Sequence, residues 1–348
     1  MFFRNVWSIA ELTNNCKSLL QQQSRSTVGY VRIQTRNAFN NSRRGKRPVI
    51  EPDPLENIQI ESGPLHAKGL LRPFFFTIGV SSASLLGCVI WEYETLRAHT
   101  TTLLRRPGSW LNAQQKKILA QFKPEPGPVQ KWWRSLKDSE KVFYPILAAN
   151  VLVFGAWRVR AFQPFMVKYF CSNPSGSAKC LPMILSTFSH YSPLHLMANM
   201  YVLYSFMPAA VASLGKEQFV AMYLSAGVIS SFASFLYKVV ANQPGLSLGA
   251  SGAIMSVLSY VCVQYPDTRL SIIFLPMYTF AAGTAIKAIM CMDLTGVLLG
   301  WKFFDHAAHL GGALFGIAWC HWGGTHIWAN RDKFLQYYHD LRKNDTGR

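Results

Sequence analysis

Charged side chains are scarce in this sequence: 15% of its 348 residues carry one, whereas 50% are hydrophobic. With a mean hydropathy of +0.11, the chain is set apart from ordinary soluble enzymes. Its seven cysteines include no paired C-x-x-C spacing of the kind that builds a metal site, so no metal is expected. Cys88, Cys262, Cys291 and Cys320 fall inside apolar runs and read as core filler. Cys171 and Cys180 share one loop and would pair only in an oxidising compartment. The ten-residue alternation of a membrane barrel is missing, as is the internal repeat expected of a transporter and any nucleic-acid-binding module. No long apolar run begins before Phe74, which argues against a secretory signal peptide.

What the chain does have is a series of apolar runs close to the roughly 18–20 residues needed to cross a bilayer. They predict seven spans near 74–91, 142–159, 193–212, 219–240, 246–265, 269–299 and 305–327. One stands alone, a basic connector follows, and six lie close together. The expected fold class is therefore an all-α polytopic membrane protein. Run 269–299 is too long for one straight crossing and too short for two; with Pro276 inside it, it is expected to be one tilted or broken span.

The formal charge of +18 is uneven. Residues 1–47 hold nine Lys/Arg against the single acid Glu11 and are rich in Ser, Asn and Gln, the signature of a mitochondrial transit segment. Residues 48–73 form a Pro- and Gly-punctuated linker, and 74–91 the extra span. A basic extramembrane connector covers 92–141, the six-span core 142–327, and a polar C-terminal tail 328–348. An odd number of spans puts the termini on opposite sides. Import logic leaves the N-terminus inside, although the basic connector then runs against the positive-inside tendency.

Three polar stretches open spans of the core. The first is His190-Tyr191-Ser192-Pro193-Leu194-His195 with Asn199, where Ser192-Pro193 reads as an N-cap followed by proline at the first helical position. The second is Gly249-Ala250-Ser251-Gly252. The third is Asp305-His306-Ala307-Ala308-His309-Leu310-Gly311-Gly312, with Asp305 as N-cap and His306 as a structural residue near the surface or a pair for Asp305. Polar groups inside lipid are costly and tend to mark functional paths. Taken singly, each stretch reads as helix packing or as a wetted helix end. Parity joins them, because one span separates the Ser251 helix from the His309 helix and the two run in the same direction. Counted from the predicted starts, both side chains lie about 6–8 Å down their helices at 1.5 Å per residue.

That arrangement suits a nucleophile and its base. His309 would take the Ser251 proton, Ser251 would attack a peptide carbonyl, and water entering by the polar mouth would resolve the acyl-enzyme. Gly312 and Gly316 share a face with His309 and aim it at a packed neighbour. His195 and Asn199, one helical turn apart, would donate to an oxyanion with the Ser251 N–H, with Gly249 allowing close approach. His190 orients the loop or adds to that hole. No acid is expected to complete a triad, so the reading is a Ser–His dyad; Lys287 and Asp293 have no assigned role. A substrate helix must unwind before its carbonyls are reachable, which favours Gly or Ser near the membrane edge.

These same residues resemble the rhomboid intramembrane serine proteases. The extra span, the transit-like start and the run from Trp301 to Gly312 look like the mitochondrial presenilin-associated rhomboid-like subgroup. The resemblance implies a six-helix core plus one N-terminal helix (1+6), with Ser251 as nucleophile, His309 as base, and His195 and Asn199 supporting the oxyanion. His190 is a weaker match. Met255 stands where bacterial members often carry a tyrosine that stacks on the histidine. The resemblance further implies a multi-pass protein of the mitochondrial inner membrane that needs no cofactor and does not bind nucleic acid. Its substrates would be single-pass transmembrane proteins in the bilayer, such as a dynamin-like GTPase and a mitophagy kinase. The competing reading is a catalytically inactive relative that binds or escorts membrane helices.

Overall fold

A computed structural model describes residues 61, 63–104, 127–272 and 275–346. The basic segment 1–47, most of the linker and residues 105–126 of the connector lie outside the described residues. The described residues are helical almost throughout. In order come α1 (Leu71–Leu104), α2 (Pro128–Ser135), α3 (Asp138–Ala156), α4 (Gln163–Phe170), α5 (Cys180–Leu185), α6 (Pro193–Leu214), α7 (Lys216–Val240) and α8 (Ser251–Gln264). A hairpin of β1 (Arg269–Ile272) and β2 (Leu275–Ala281) leads into α9 (Ala282–Leu299), followed by α10 (His306–Ala318), a π-helical turn Trp319–Trp328, and α11 (Asp332–Thr346).

Among the described residues, four helices are long and apolar enough by themselves to cross a bilayer, in Ala67–Thr101, Pro193–Leu214, Lys216–Val240 and Ala282–Leu299. A fifth crossing is possible if α3 and the stretch Arg160–Phe170, bent by 98°, count as one. α8 is apolar but only 14 residues long. α10, 13 residues, reaches further only because the 10-residue π turn continues it. Length and composition thus give a polytopic helical protein without fixing the count at seven.

α7 is the central post: α1, α10 and α8 all pack against it. Its buried residues include apolar Phe219, Ala221, Met222, Tyr223, Ala226 and Phe235, interleaved with polar Gln218, Ser225, Ser230, Ser231, Ser234 and Lys238. α6 and α8 close the main core with Leu203, Met207, Val257 and Tyr260.

Four expectations are corrected. Residues 269–281 are a β-hairpin pairing Arg269 with Ala281 and Leu270 with Phe280, and only 282–299 crosses as a helix. Aromatic and β-branched residues on either side of Pro276 favour extended backbone, and a proline in a helix interior costs one backbone hydrogen bond. The parity argument survives, because the run still contains a single crossing. Secondly, the stretch 160–182 is not a plain loop, since α4 and the start of α5 lie in it. Thirdly, 328–348 is not merely a tail. It forms α11, which docks on α1: Arg331 donates to both Glu92 carboxylate oxygens (2.7 and 3.0 Å), Tyr338 and Arg342 donate to Glu94, and His339 meets Tyr93. Lastly, helix α1 runs on through residues 92–104, so this part of the connector continues the first span. Cys171 and Cys180 are both free thiols.

Just before α1, the chain is fastened to the loop between α4 and α5. Glu61 accepts from the Ser177 N–H (2.5 Å) and hydroxyl (3.0 Å), and its carbonyl accepts from the Asn173 amide (2.9 Å). The Ser177 hydrogen bonds hold the Glu61 carboxyl below its ordinary value. The fastening is therefore complete at neutral pH and lost as pH falls through that lowered value. Limited proteolysis near residues 61–66 should accelerate on acidification and, at neutral pH, in Glu61→Gln. Equal cleavage of variant and wild type would remove the carboxylate from this role.

Candidate active site

α8 begins at Ser251 itself, with Ala250 as N-cap. The five residues before it are extended or turning, held by an antiparallel bridge between Ser172 and Ser247 (2.8 and 3.0 Å). Gly249 has φ +128°, a conformation that L side chains rarely adopt, and a Cβ there would lie 2.7 Å from the His195 ring. The Ser251 side chain is thus delivered at a helix N-terminus, where the first N–H groups have no intrahelical acceptor and face whatever occupies the mouth. The predicted start was about five residues too early. Polar, glycine-punctuated backbone replaces the first turn.

α10 starts with Asp305 as N-cap, its carboxylate accepting from the Ala308 N–H at 3.0 Å. His309 lies in the first turn. α10 lies against α8 along a seam of small residues: a Cβ on Gly312 would overlap the Gly252 carbonyl, and one on Gly316 would overlap Ser256 and Ser259. Across this seam the Ser251 hydroxyl and His309 Nε2 are 2.8 Å apart. The two side chains named from sequence meet, and the glycines that flank them set the distance.

Asp293 on α9 was passed over in the sequence, and it changes the reading. It is fully buried, and its Oδ1 lies 3.3 Å from His309 Nδ1 and 2.7 Å from His306 Nδ1. Both imidazoles donate to one carboxylate oxygen, which leaves His309 Nε2 free to accept from Ser251. An acid is therefore placed on the base, contrary to expectation. His306 is also corrected: it is 3% exposed, it pairs with Asp293 rather than Asp305, and Trp301, Phe303 and Phe304 surround it. The available signal was a lone acid in an apolar helix. Its partners lie 13 and 16 residues away, beyond any helical spacing. Asp293, His306 and His309 bring ligand-type atoms within 4.8 Å of one another, a spacing that a divalent ion can use; here those atoms are hydrogen-bonded to each other.

The remaining residues divide. His195 lies against Gly249, beside the nucleophile's loop, with its ring 4.9 Å from that of His190. Asn199 is buried on the same helix face and donates to its own helix, to the His195 carbonyl at 2.9 Å. His190 is fully buried, and its Nε2 accepts from the Ala250 N–H at 3.3 Å. That bond orients the nucleophile loop and uses up a backbone donor. Trp157 donates to Ser189 at 2.9 Å and fixes this approach from α3. Met255 packs in a cluster with Leu258, Cys262, Ile286 and Ala313. The aromatic ring beside His309 is Phe304, with centroids 6.0 Å apart. Lys287 has no contact that assigns it a role.

Residues 177–325 match the rhomboid domain. The presenilin-associated rhomboid-like proteins of mitochondria from Mus musculus and Homo sapiens are each 48% identical over 300 residues, covering 86% of this chain and 78% of theirs. Rhomboid protein 1, mitochondrial, from Saccharomyces cerevisiae is 31% identical over 199 residues, 57% of each chain.

Overpacking a tight helix seam costs about 1–3 kcal/mol. Gly312→Ala should lower the unfolding temperature measured in detergent, whereas Ala substitution at Gly79, where a Cβ meets nothing within 4 Å, should leave it unchanged. Equal midpoints for both variants would mean that the seam does not set the spacing.

Proposed function

The chain belongs to the rhomboid family, in its mitochondrial presenilin-associated rhomboid-like subgroup, and from that premise we propose that it is an intramembrane serine protease. It is a mitochondrial multi-pass membrane protein. The finer reading places it in the inner membrane, with a 1+6 arrangement in which α1 is the added span and 142–327 the protease core. Its substrates are single-pass transmembrane proteins, among them a dynamin-like GTPase and a mitophagy kinase. Mitochondrial fusion, mitophagy and apoptosis are the processes such cleavage would reach.

One observation carries this reading: a hydroxyl at a helix N-terminus sits 2.8 Å from an imidazole whose other nitrogen faces a buried carboxylate. In the proposed mechanism, His309 Nε2 takes the Ser251 proton as Oγ attacks the scissile carbonyl. Asp293 holds the ring in the tautomer that leaves Nε2 unprotonated and stabilises the imidazolium once it forms. His309 then gives the proton to the leaving amine. The tetrahedral oxyanion is met by the Ser251 N–H and the His195 ring, and by Asn199 once its amide turns away from its own helix. Water attacks the acyl-enzyme, His309 again acting as base, and Ser251 is regenerated. Gly249 keeps this region free of side-chain bulk, so that an unwound substrate strand can lie against it.

The test is cleavage of a tagged single-span substrate with Gly-Ser near its membrane edge, by full-length protein in liposomes. Ser251→Ala and His309→Ala should give no product. Equal product from wild type and Ser251→Ala, or none from wild type, would instead favour a helix-binding escort. Asp293→Asn should lower kcat by about 10²-fold or more with KM little changed, because the carboxylate acts on the base in the transition state. An unchanged kcat would return the site to a two-residue dyad.

A further inference from the structure

A second carboxylate lies close to the site but touches no reacting atom. Asp305 Oδ2 accepts from the Ser234 hydroxyl at 2.5 Å and from the Ser247 hydroxyl, and Lys238 Nζ lies 3.4 Å away. Lys238 also donates to Ser247. The other oxygen of Asp305 receives the Ala308 N–H at 3.0 Å, and its backbone carbonyl receives the His309 N–H at 3.0 Å. The Lys238 and Asp305 side chains are only 11% and 19% exposed.

Three separate elements therefore end on one carboxylate. α7 contributes Ser234 and Lys238, the segment that delivers the nucleophile contributes Ser247, and the first turn of α10 contributes Asp305. Ser247 precedes Ser251 by four residues, and Asp305 precedes His309 by four. Ser247 is the last hydrogen-bonded side chain before Ser251, and Asp305 caps the turn that carries His309. The α8–α10 seam fixes how far apart these helices lie. Sliding along the seam, or rotation of either helix start, is opposed by groups that tie the two starts together. The Asp305 junction does this through Ser247 and the α10 N-cap. Lys238 makes the junction neutral, which a buried carboxylate requires.

We propose that Asp305 and Lys238 are positioning residues for the Ser251–His309 pair, setting the register of nucleophile and base through Ser247 and the α10 N-cap. The proposal rests on the protease reading. Catalysis is steep in geometry, and a displacement of about 1 Å costs up to about 10²-fold in rate. The junction accordingly acts on the chemical step and leaves substrate affinity alone.

The experiment uses full-length protein in liposomes and two readouts. One is kcat and KM for the tagged single-span substrate. The other is the rate and final extent of Ser251 labelling by a fluorophosphonate, in which Oγ displaces fluoride from phosphorus and the hydroxyl proton passes to the base. Asp305→Asn retains an N-cap side chain. It should lower kcat and the labelling rate by about tenfold or more, with KM within about twofold and full final labelling. Lys238→Met should fall in the same way, and Lys238→Arg should recover most of the loss. A merely structural role would reduce the fraction of molecules labelled and would not be rescued selectively in kcat. If Asp305→Asn does not fold, Ser247→Ala decides, because it removes one hydroxyl and no charge; its labelling should still slow severalfold. Wild-type rates in folded Asp305→Asn or Ser247→Ala would overturn the proposal. Absence of Ser251-dependent labelling in the wild type would overturn the protease reading instead.

Discussion

The closest approach of α8 and α10 is the constraint on which the rest depends. Gly312 lies on the Gly252 carbonyl, and Gly316 on Ser256 and Ser259, so that the two backbones meet with almost no side chain between them. Without water in lipid, little hydrophobic driving force holds helices together, and close van der Waals packing of small residues takes its place. The seam is nearest to contact one residue after Ser251 and three after His309. A hydroxyl and an imidazole projecting from adjacent edges can then meet at 2.8 Å in ordinary conformations. Larger side chains along the seam would push the helices apart by more than a hydrogen bond can span, and no other contact in the site could compensate.

Electrostatics completes what packing begins. Asp293 is wholly buried, and a buried carboxylate needs donors aimed at it. His306 and His309 supply them through one oxygen. His306 is enclosed by the rings of Trp301, Phe303 and Phe304 and does no chemistry; it helps to keep the acid in place beside His309. The helix that carries the acid is the least embedded of those around the site. Met292, Leu294, Leu298 and Leu299 of α9 face outward. Any displacement of α9 away from α10 would take Asp293 off the base, so the same helix borders the lipid and holds the imidazole's tautomer.

Much of this was legible in the sequence because lipid imposes a strong rule: a polar group in an apolar run stands out. Ser251, His309 and His195 were found in this way, and Gly312 and Gly316 by their small-residue spacing. Asp293 also stood out, but its partners are distant in sequence and belong to another helix, so no local pattern tied it to them. His306 could not be told from a surface residue, because the aromatic cage around it forms only after 301–304 turn back on α9. The hairpin at 269–281 was hidden in an apolar run, since hydropathy does not separate an extended segment from a helical one. Register was misjudged for a related reason. The residues before Ser251 include Leu246 and Leu248 and read as helix, whereas Gly249 at φ +128° and the pairing of Ser247 with Ser172 keep them out of it.

That non-helical stretch is the last step in how the fold makes a site at membrane depth. α8 has 14 residues, or about 21 Å of helix at 1.5 Å per residue, against a hydrocarbon core of about 30 Å. α8 alone therefore cannot reach both surfaces, and non-helical backbone precedes it. Such backbone is tolerated in a bilayer only if its polar groups are met by protein. Here they are: Ser247 by Ser172, the Gly249 N–H by the Ser186 carbonyl at 2.9 Å, and the Ala250 N–H by His190. The donors left over are those of the first turn of α8, beginning at Ser251, where an oxyanion would form. The short helix and the satisfied loop thus place the nucleophile below the surface and leave its N–H groups open. Asp293 meets the His309 ring itself, whereas Asp305 caps the helix turn that carries it.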